Sequence, residues 1–215
     1  MRGSVKFFLF LAGSALAWAQ PAPNLEAARK LVELKRVLPE VHLEVRYATT
    51  NNFMKRRLYS APRVFVRQEV GEALAKVQAR LARRGLGLLV FDGYRPWRVT
   101  KMMWDETPEE KRYFVADPAK GSKHNRGGAV DLTLWDEKAG RALEMTSAYD
   151  EFSERAIPTY SGGSARARAN RELLRQVMED AGFIRLPKEW WHFDYKDWKS
   201  FPLLDYSFEE LDQLR

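Results

Sequence analysis

None of the 215 residues is a cysteine, and that absence constrains the fold more than any motif the chain carries. No disulfide can staple the structure, so stability has to come from a buried apolar core. No thiolate can hold a metal, which leaves imidazole and carboxylate as the donors for any ion. Imidazole is scarce too: the histidines are His42, His124 and His192. The core requirement is met, because hydrophobic residues make up 45% of the chain and include seven Trp and twelve Phe. A length of 215 residues suits one compact domain with a short appendage.

The appendage is N-terminal. Arg2 and Lys6 give a basic start, Phe7 to Ala17 form an apolar run, and Ala17-Trp18-Ala19 supplies a small-x-small cleavage pattern. Gln20 and the Pro21-Ala22-Pro23 linker follow. Residues 1–19 therefore read as a secretory signal peptide, residues 20–39 as linker and N-terminal segment, and 40–215 as the functional domain. The run is short for a bilayer span, and no other segment is long and apolar enough. The expectation is an exported protein, periplasmic or extracellular, with no stable membrane insertion after cleavage. Removing Arg2 and Lys6 lowers the formal charge from +7 to +5. Nucleic-acid binding would need that charge clustered, whereas Lys and Arg are interleaved with Asp and Glu. The dense run Lys55-Arg56-Arg57 is short and reads as a solvated turn.

Val70, Leu74, Val77 and Leu81 predict a helix over 67–84, capped by Gly85. Leu86 to Phe91 is an apolar run of strand length ending at the turn signal Asp92-Gly93. A short helix is expected over 97–105, a strand over 129–134, a helix over 170–181 and a final central strand over Trp190 to Tyr195. Helices and strands mix without strict alternation. That pattern favours an α+β single domain: a central antiparallel or mixed sheet with helices packed on it and the functional site on the open sheet face.

Two stretches carry chemistry. In Ala129-Val130-Asp131-Leu132-Thr133-Leu134, strand alternation sends Val130, Leu132 and Leu134 to the core and Asp131 to the other face. A mid-strand Asp needs a pair, hydrogen bonds or a metal. His124 lies on the preceding loop, where Gly127 and Gly128 allow a sharp return toward Asp131. Alone, this spacing equally suits a loop histidine beside an Asp satisfied by backbone donors. In Glu189-Trp190-Trp191-His192, the odd separation puts Glu189 and His192 on opposite strand faces unless Glu189 sits on the turn entering the strand or a bulge intervenes. Alone, His192 also suits an aromatic core. Together the halves meet the needs of a hydrolytic zinc site, which takes three protein ligands and a nearby carboxylate that does not bind the metal. His124, Asp131 and His192 would be the ligands and Glu189 the base, with one Zn²⁺ per chain. His42, in an alternating strand pattern with no ligand partner nearby, reads as structural or surface.

The Ser-x-His-x-x-Gly-x-Ala-x-Asp pattern, the Glu189-Trp190-Trp191-His192 quartet, the block Asp92-Gly93-Tyr94-Arg95-Pro96 and the element Tyr47-Ala48-Thr49-Thr50-Asn51-Asn52-Phe53 resemble the VanX-type D-alanyl-D-alanine dipeptidases, relatives of the VanY-type D,D-carboxypeptidases. The resemblance spans roughly residues 40–195. It implies that Arg95 stabilises the oxyanion formed at the scissile carbonyl. It also implies that Asp150 receives the substrate's free amino group, that Ser122 lies in the same amine pocket, and that Tyr47 lines the substrate site. Substrates would be D-alanyl-D-alanine, similar D-amino-acid dipeptides or peptidoglycan-derived peptides. Two departures bear on pocket shape: Asn51 replaces the family's usual Asp, and Met145-Thr146-Ser147-Ala148-Tyr149-Asp150 lacks a glycine and carries Tyr149 in place of Phe. Competing expectations are a D,D- or L,D-carboxypeptidase trimming stem peptides and a non-catalytic wall-binding module of the same fold.

Overall fold

The computed structural model describes residues 19–215. Residues 1–18 of the expected signal peptide lie outside the described residues. In chain order the elements are α1 (Leu25–Arg29), β1 (Leu31–Glu33), α2 (Leu34–Val37), β2 (His42–Leu43), β3 (Phe65–Arg67), α3 (Gln68–Ala82), β4 (Leu86–Asp92), α4 (Trp97–Glu106), β5 (Ala129–Asp136), β6 (Arg141–Ala142), α5 (Ala165–Glu179), β7 (Phe183–Arg185), β8 (His192–Tyr195) and α6 (Phe208–Gln213). The main sheet runs β2-β4-β5-β8-β7, with β6 added along β5, and only the β2–β4 pairing is parallel. A small antiparallel pair, β1 with β3, stands apart. The architecture is the mixed-sheet α+β domain that the pattern implied.

Register sorts the residues into two faces. Leu88 pairs with Leu134, Val90 with Leu132 and Val130 with Phe193, all of them essentially inaccessible to solvent. These side chains share one core with the apolar stripe of α3 (Val70, Leu74, Val77, Leu81) and with Leu174, Val177 and Met178 of α5. A face of large aliphatic side chains this fully covered is the main source of stability in a chain without disulfides. Helix α5 starts earlier than its Leu173–Leu174–Val177 stripe suggests, because the Ser164 hydroxyl caps its first turn by accepting the Ala167 N–H at 2.9 Å. Residues 25–37 are built into the domain: Leu31 and Leu34 are buried, and Arg67 beside them donates to the Ala27 carbonyl. No helix among the described residues is long and apolar enough to cross a membrane.

Candidate metal centre and substrate cavity

The opposite face of the sheet is polar at its centre. Asp92 of β4 stands opposite Asp131 of β5, and Asp131 stands opposite His192 of β8. Opposed residues on antiparallel strands hold their Cβ atoms about 4.5–5.5 Å apart, so three strands deliver one polar row. The first member depends on a bulge. Register shifts between Val90 and Asp92, and without the shift Phe91 would face Asp131.

His124 joins the row from the preceding loop, at the start of a single 3₁₀ turn, His124–Arg126. The turn is closed by Gly127 at φ +67°, a left-handed conformation that disfavours any side chain. Space is equally restrictive, since a Cβ on Gly127 would lie 2.4 Å from Leu31 Cδ2. Glu189 lies on the turn entering β8, where the His192 N–H approaches the Glu189 carbonyl, so the turn removes the odd-spacing conflict. Its Oε2 is 3.9 Å from His192 Nδ1.

Three donor atoms converge. Asp131 Oδ1 is 3.0 Å from His192 Nδ1 and 3.3 Å from His124 Nε2, and the two ring nitrogens are 3.1 Å apart. All three residues are buried, and among the described residues they form the cluster able to hold a metal ion. The outer contacts fix which ring atoms face inward. His124 Nδ1 lies 2.7 Å from the Gly93 carbonyl, which can only accept, so this nitrogen carries the proton and Nε2 offers a lone pair. His192 Nε2 lies 2.8 Å from Asp194 Oδ1, which by the same logic leaves Nδ1 free to bind. Three acceptors packed this closely repel one another unless a cation or a proton lies between them. The spacing suits zinc, because ligand bonds of about 2.0–2.1 Å in a tetrahedron place donor atoms about 3.3–3.4 Å apart. The donor set of two imidazoles and one carboxylate is of the kind zinc takes in hydrolytic sites.

Charge around the cluster is arranged by burial and neighbours. Burial would raise the Asp131 carboxyl, but His124 and His192 beside it hold it well below the usual carboxylate range. Burial raises Glu189, only partly offset by His192. Asp150 is pushed up to about 8, first by burial and then by the negative charge of Asp131. Its Oδ2 is buried with no hydrogen-bond partner, and its backbone is left-handed at φ 59°. Arg95 is clamped: Nη2 and Nε donate to Asp92 Oδ2 at 2.7 and 3.1 Å, while the guanidinium lies 5.1 Å from the centre of the Tyr47 ring. Asp92 is itself held by the Tyr59 hydroxyl at 2.7 Å.

All eight residues expected at the site line one cavity of about 350 Å³: Tyr47, Arg95, Ser122, His124, Asp131, Asp150, Glu189 and His192. His42 lies elsewhere, stacked on Trp135 with Glu137 as its partner. Sequence reasoning missed Asp92, Asp194 and the aromatic wall of Phe53, Phe114 and Phe152. Asp194 did carry a signal, being two residues beyond His192 and hence on the same strand face. Asp92 stood in the Asp92-Gly93-Tyr94-Arg95-Pro96 block, but a bulge decides which way it faces.

The sequence profile of a family described as D-ala-D-ala dipeptidase matches residues 27–211. A D-alanyl-D-alanine dipeptidase of Escherichia coli (strain K12) is 35% identical over 179 residues, covering 83% of this chain and 91% of the relative. One of Enterococcus faecium is 34% identical over 182 residues, covering 76% and 90% respectively. Among solved structures, the LD-carboxypeptidase LdcB gives a TM-score of 0.46 at 20% identity, over 86% of this chain and 77% of that one.

Proposed function

The chain belongs to the D-ala-D-ala dipeptidase family, a family of metallopeptidases, and from that premise we propose that it hydrolyses D-alanyl-D-alanine or a closely similar D-amino-acid dipeptide with one zinc ion. His124, Asp131 and His192 hold the metal. Bound there, zinc supplies a Lewis acid for the scissile carbonyl and lowers the pKa of water toward about 7. Glu189 takes the proton from the attacking water and passes it to the leaving amine, a role its raised pKa suits. Arg95, held rigid by Asp92, offsets the negative charge that develops on the carbonyl oxygen. Tyr47 and Ser122 line the cavity beside it.

The observation that carries the dipeptidase reading over a carboxypeptidase is Asp150. A buried carboxylate oxygen with no partner, in the same cavity as the three donors, suits a substrate ammonium. Only a dipeptide presents its free amine one residue from the scissile bond. Glu189→Gln is expected to keep stoichiometric zinc while losing about 10²–10⁴-fold in kcat. Turnover of D-Ala-D-Ala like the parent would remove Glu189 from the mechanism. In the same assay, preference for the N-acylated dipeptide would replace the dipeptidase reading with a carboxypeptidase one and strip Asp150 of its role.

The protein acts outside the cytoplasm, after loss of residues 1–19. Support comes from the basic start, the apolar run and the Ala17-Trp18-Ala19 pattern. Intact mass of the secreted chain should place Gln20 first, and a cytoplasmic chain retaining Met1 would contradict export.

A further inference from the structure

We propose that the Tyr149 hydroxyl is a positioning group for the metal, engaging Asp131 Oδ2 so that the carboxylate binds through Oδ1 alone. The inference rests on the zinc reading of the cavity given above. Tyr149 donates to Asp131 Oδ2 over 3.1 Å. The other oxygen of that carboxylate, Oδ1, is the one facing His192 Nδ1 and His124 Nε2. An unrestrained carboxylate turns about its Cβ–Cγ bond and offers either oxygen or both. A hydrogen bond to one oxygen removes that freedom and fixes the direction of the remaining lone pairs.

The hydroxyl is itself held in place. The Tyr149 ring is 4% exposed, stacks on Phe91 with centroids 4.3 Å apart and planes 12° apart, and meets Trp191 edge-on at 5.5 Å. Phe91 is the residue at the bulge that turns Asp92 toward Asp131, and Trp191 precedes His192. The packing that orients the polar row therefore also orients the hydroxyl. With Tyr149 counted, each ligand has one outer partner: Gly93 for His124, Asp194 for His192 and Tyr149 for Asp131. The resemblance expects Phe at this position, which would keep the stack and lack the hydrogen bond. Asp150 follows directly, at φ 59°, so the same short segment touches the metal ligand and the amine pocket.

Tyr149→Phe isolates the hydroxyl, because Phe preserves the ring packing. Zinc affinity, read by chelator competition, is expected to fall about 10–100-fold. The far- and near-ultraviolet circular dichroism and, at saturating zinc, the KM for the dipeptide are expected to match the parent. Zinc affinity within about twofold of the parent, or a loss confined to KM, would overturn the positioning role. A parent protein that takes up no zinc is a different failure: it sinks the metal reading itself, whatever the variant does.

Discussion

Burial by itself would strip His192 of its proton, yet the hydrogen bonds its ring donates to the carboxylates of Asp131 and Asp194 outweigh that cost and push the imidazole up to about 10. The ring atom that faces the cluster is Nδ1, so a proton and a metal compete for one lone pair. The sign follows directly. In the metal-free protein the site holds its proton through neutrality, and zinc must displace it. Affinity for zinc should therefore climb as pH rises toward that value, and uptake at pH 7 should release at least one proton. Calorimetric titration in buffers of different ionisation enthalpy counts the protons. Zinc binding with none released would mean that Nδ1 is not a ligand. Asp150 is subject to the same logic with opposite charge. Negative neighbours and burial raise it, so either a cation in the adjacent cluster or an ammonium at its free oxygen draws its proton off. Both charged partners of the proposed reaction thus favour the carboxylate form.

At the scale of elements, periodicity was readable where an element buries a face of its own. Helix α3 and strands β4 and β5 follow from the apolar residues at Val70–Leu81, Leu88–Val90 and Val130–Leu134, because each of those stripes enters the core. The same alternation exposed Asp131 as a charged residue in a strand that ought to be apolar, and the odd Glu189–His192 spacing required the turn on which Glu189 lies. Strands β1, β6 and β7 are two or three residues long. Such strands exist because a neighbour offers hydrogen bonds, and no pattern within three residues announces that. Asp92 marks a similar limit. Its run reads correctly as a strand, but the shift at Phe91 depends on how β4 pairs with β5, which is a property of two strands together. Tyr149 is legible only as a departure from a family pattern; its contact with Asp131 requires the chain to return across eighteen residues. The sequence thus marked His124, Asp131, His192 and Glu189, which the fold gathers in one cavity, while the groups that contact them emerged from pairing and packing.

The whole molecule presents the cluster as a join between regions distant along the chain. His124 comes from a loop, Asp131 from β5, and His192 from the start of β8, with all of α5 and β7 lying between the last two. Three acceptors lie within 3.3 Å of one another in a buried place, an arrangement that a cation relieves better than a single proton. Unfolding separates them at once, so the unfolded chain cannot offer the same three-point site. A metal that binds the folded state alone stabilises it by mass action, about 4 kcal/mol at a free concentration 1,000 times Kd. Proteins of about 150–250 residues gain about 2–4 °C per kcal/mol, which translates to a rise of roughly 8–16 °C in Tm. Scanning calorimetry of the chelator-stripped protein against zinc should show this rise, growing with free zinc after one equivalent is bound. Triple substitution of His124, Asp131 and His192 should abolish it. A Tm indifferent to zinc, with one equivalent demonstrably bound, would place the ion outside the fold's central row and separate the metal from the cavity that Asp150, Arg95 and Glu189 share.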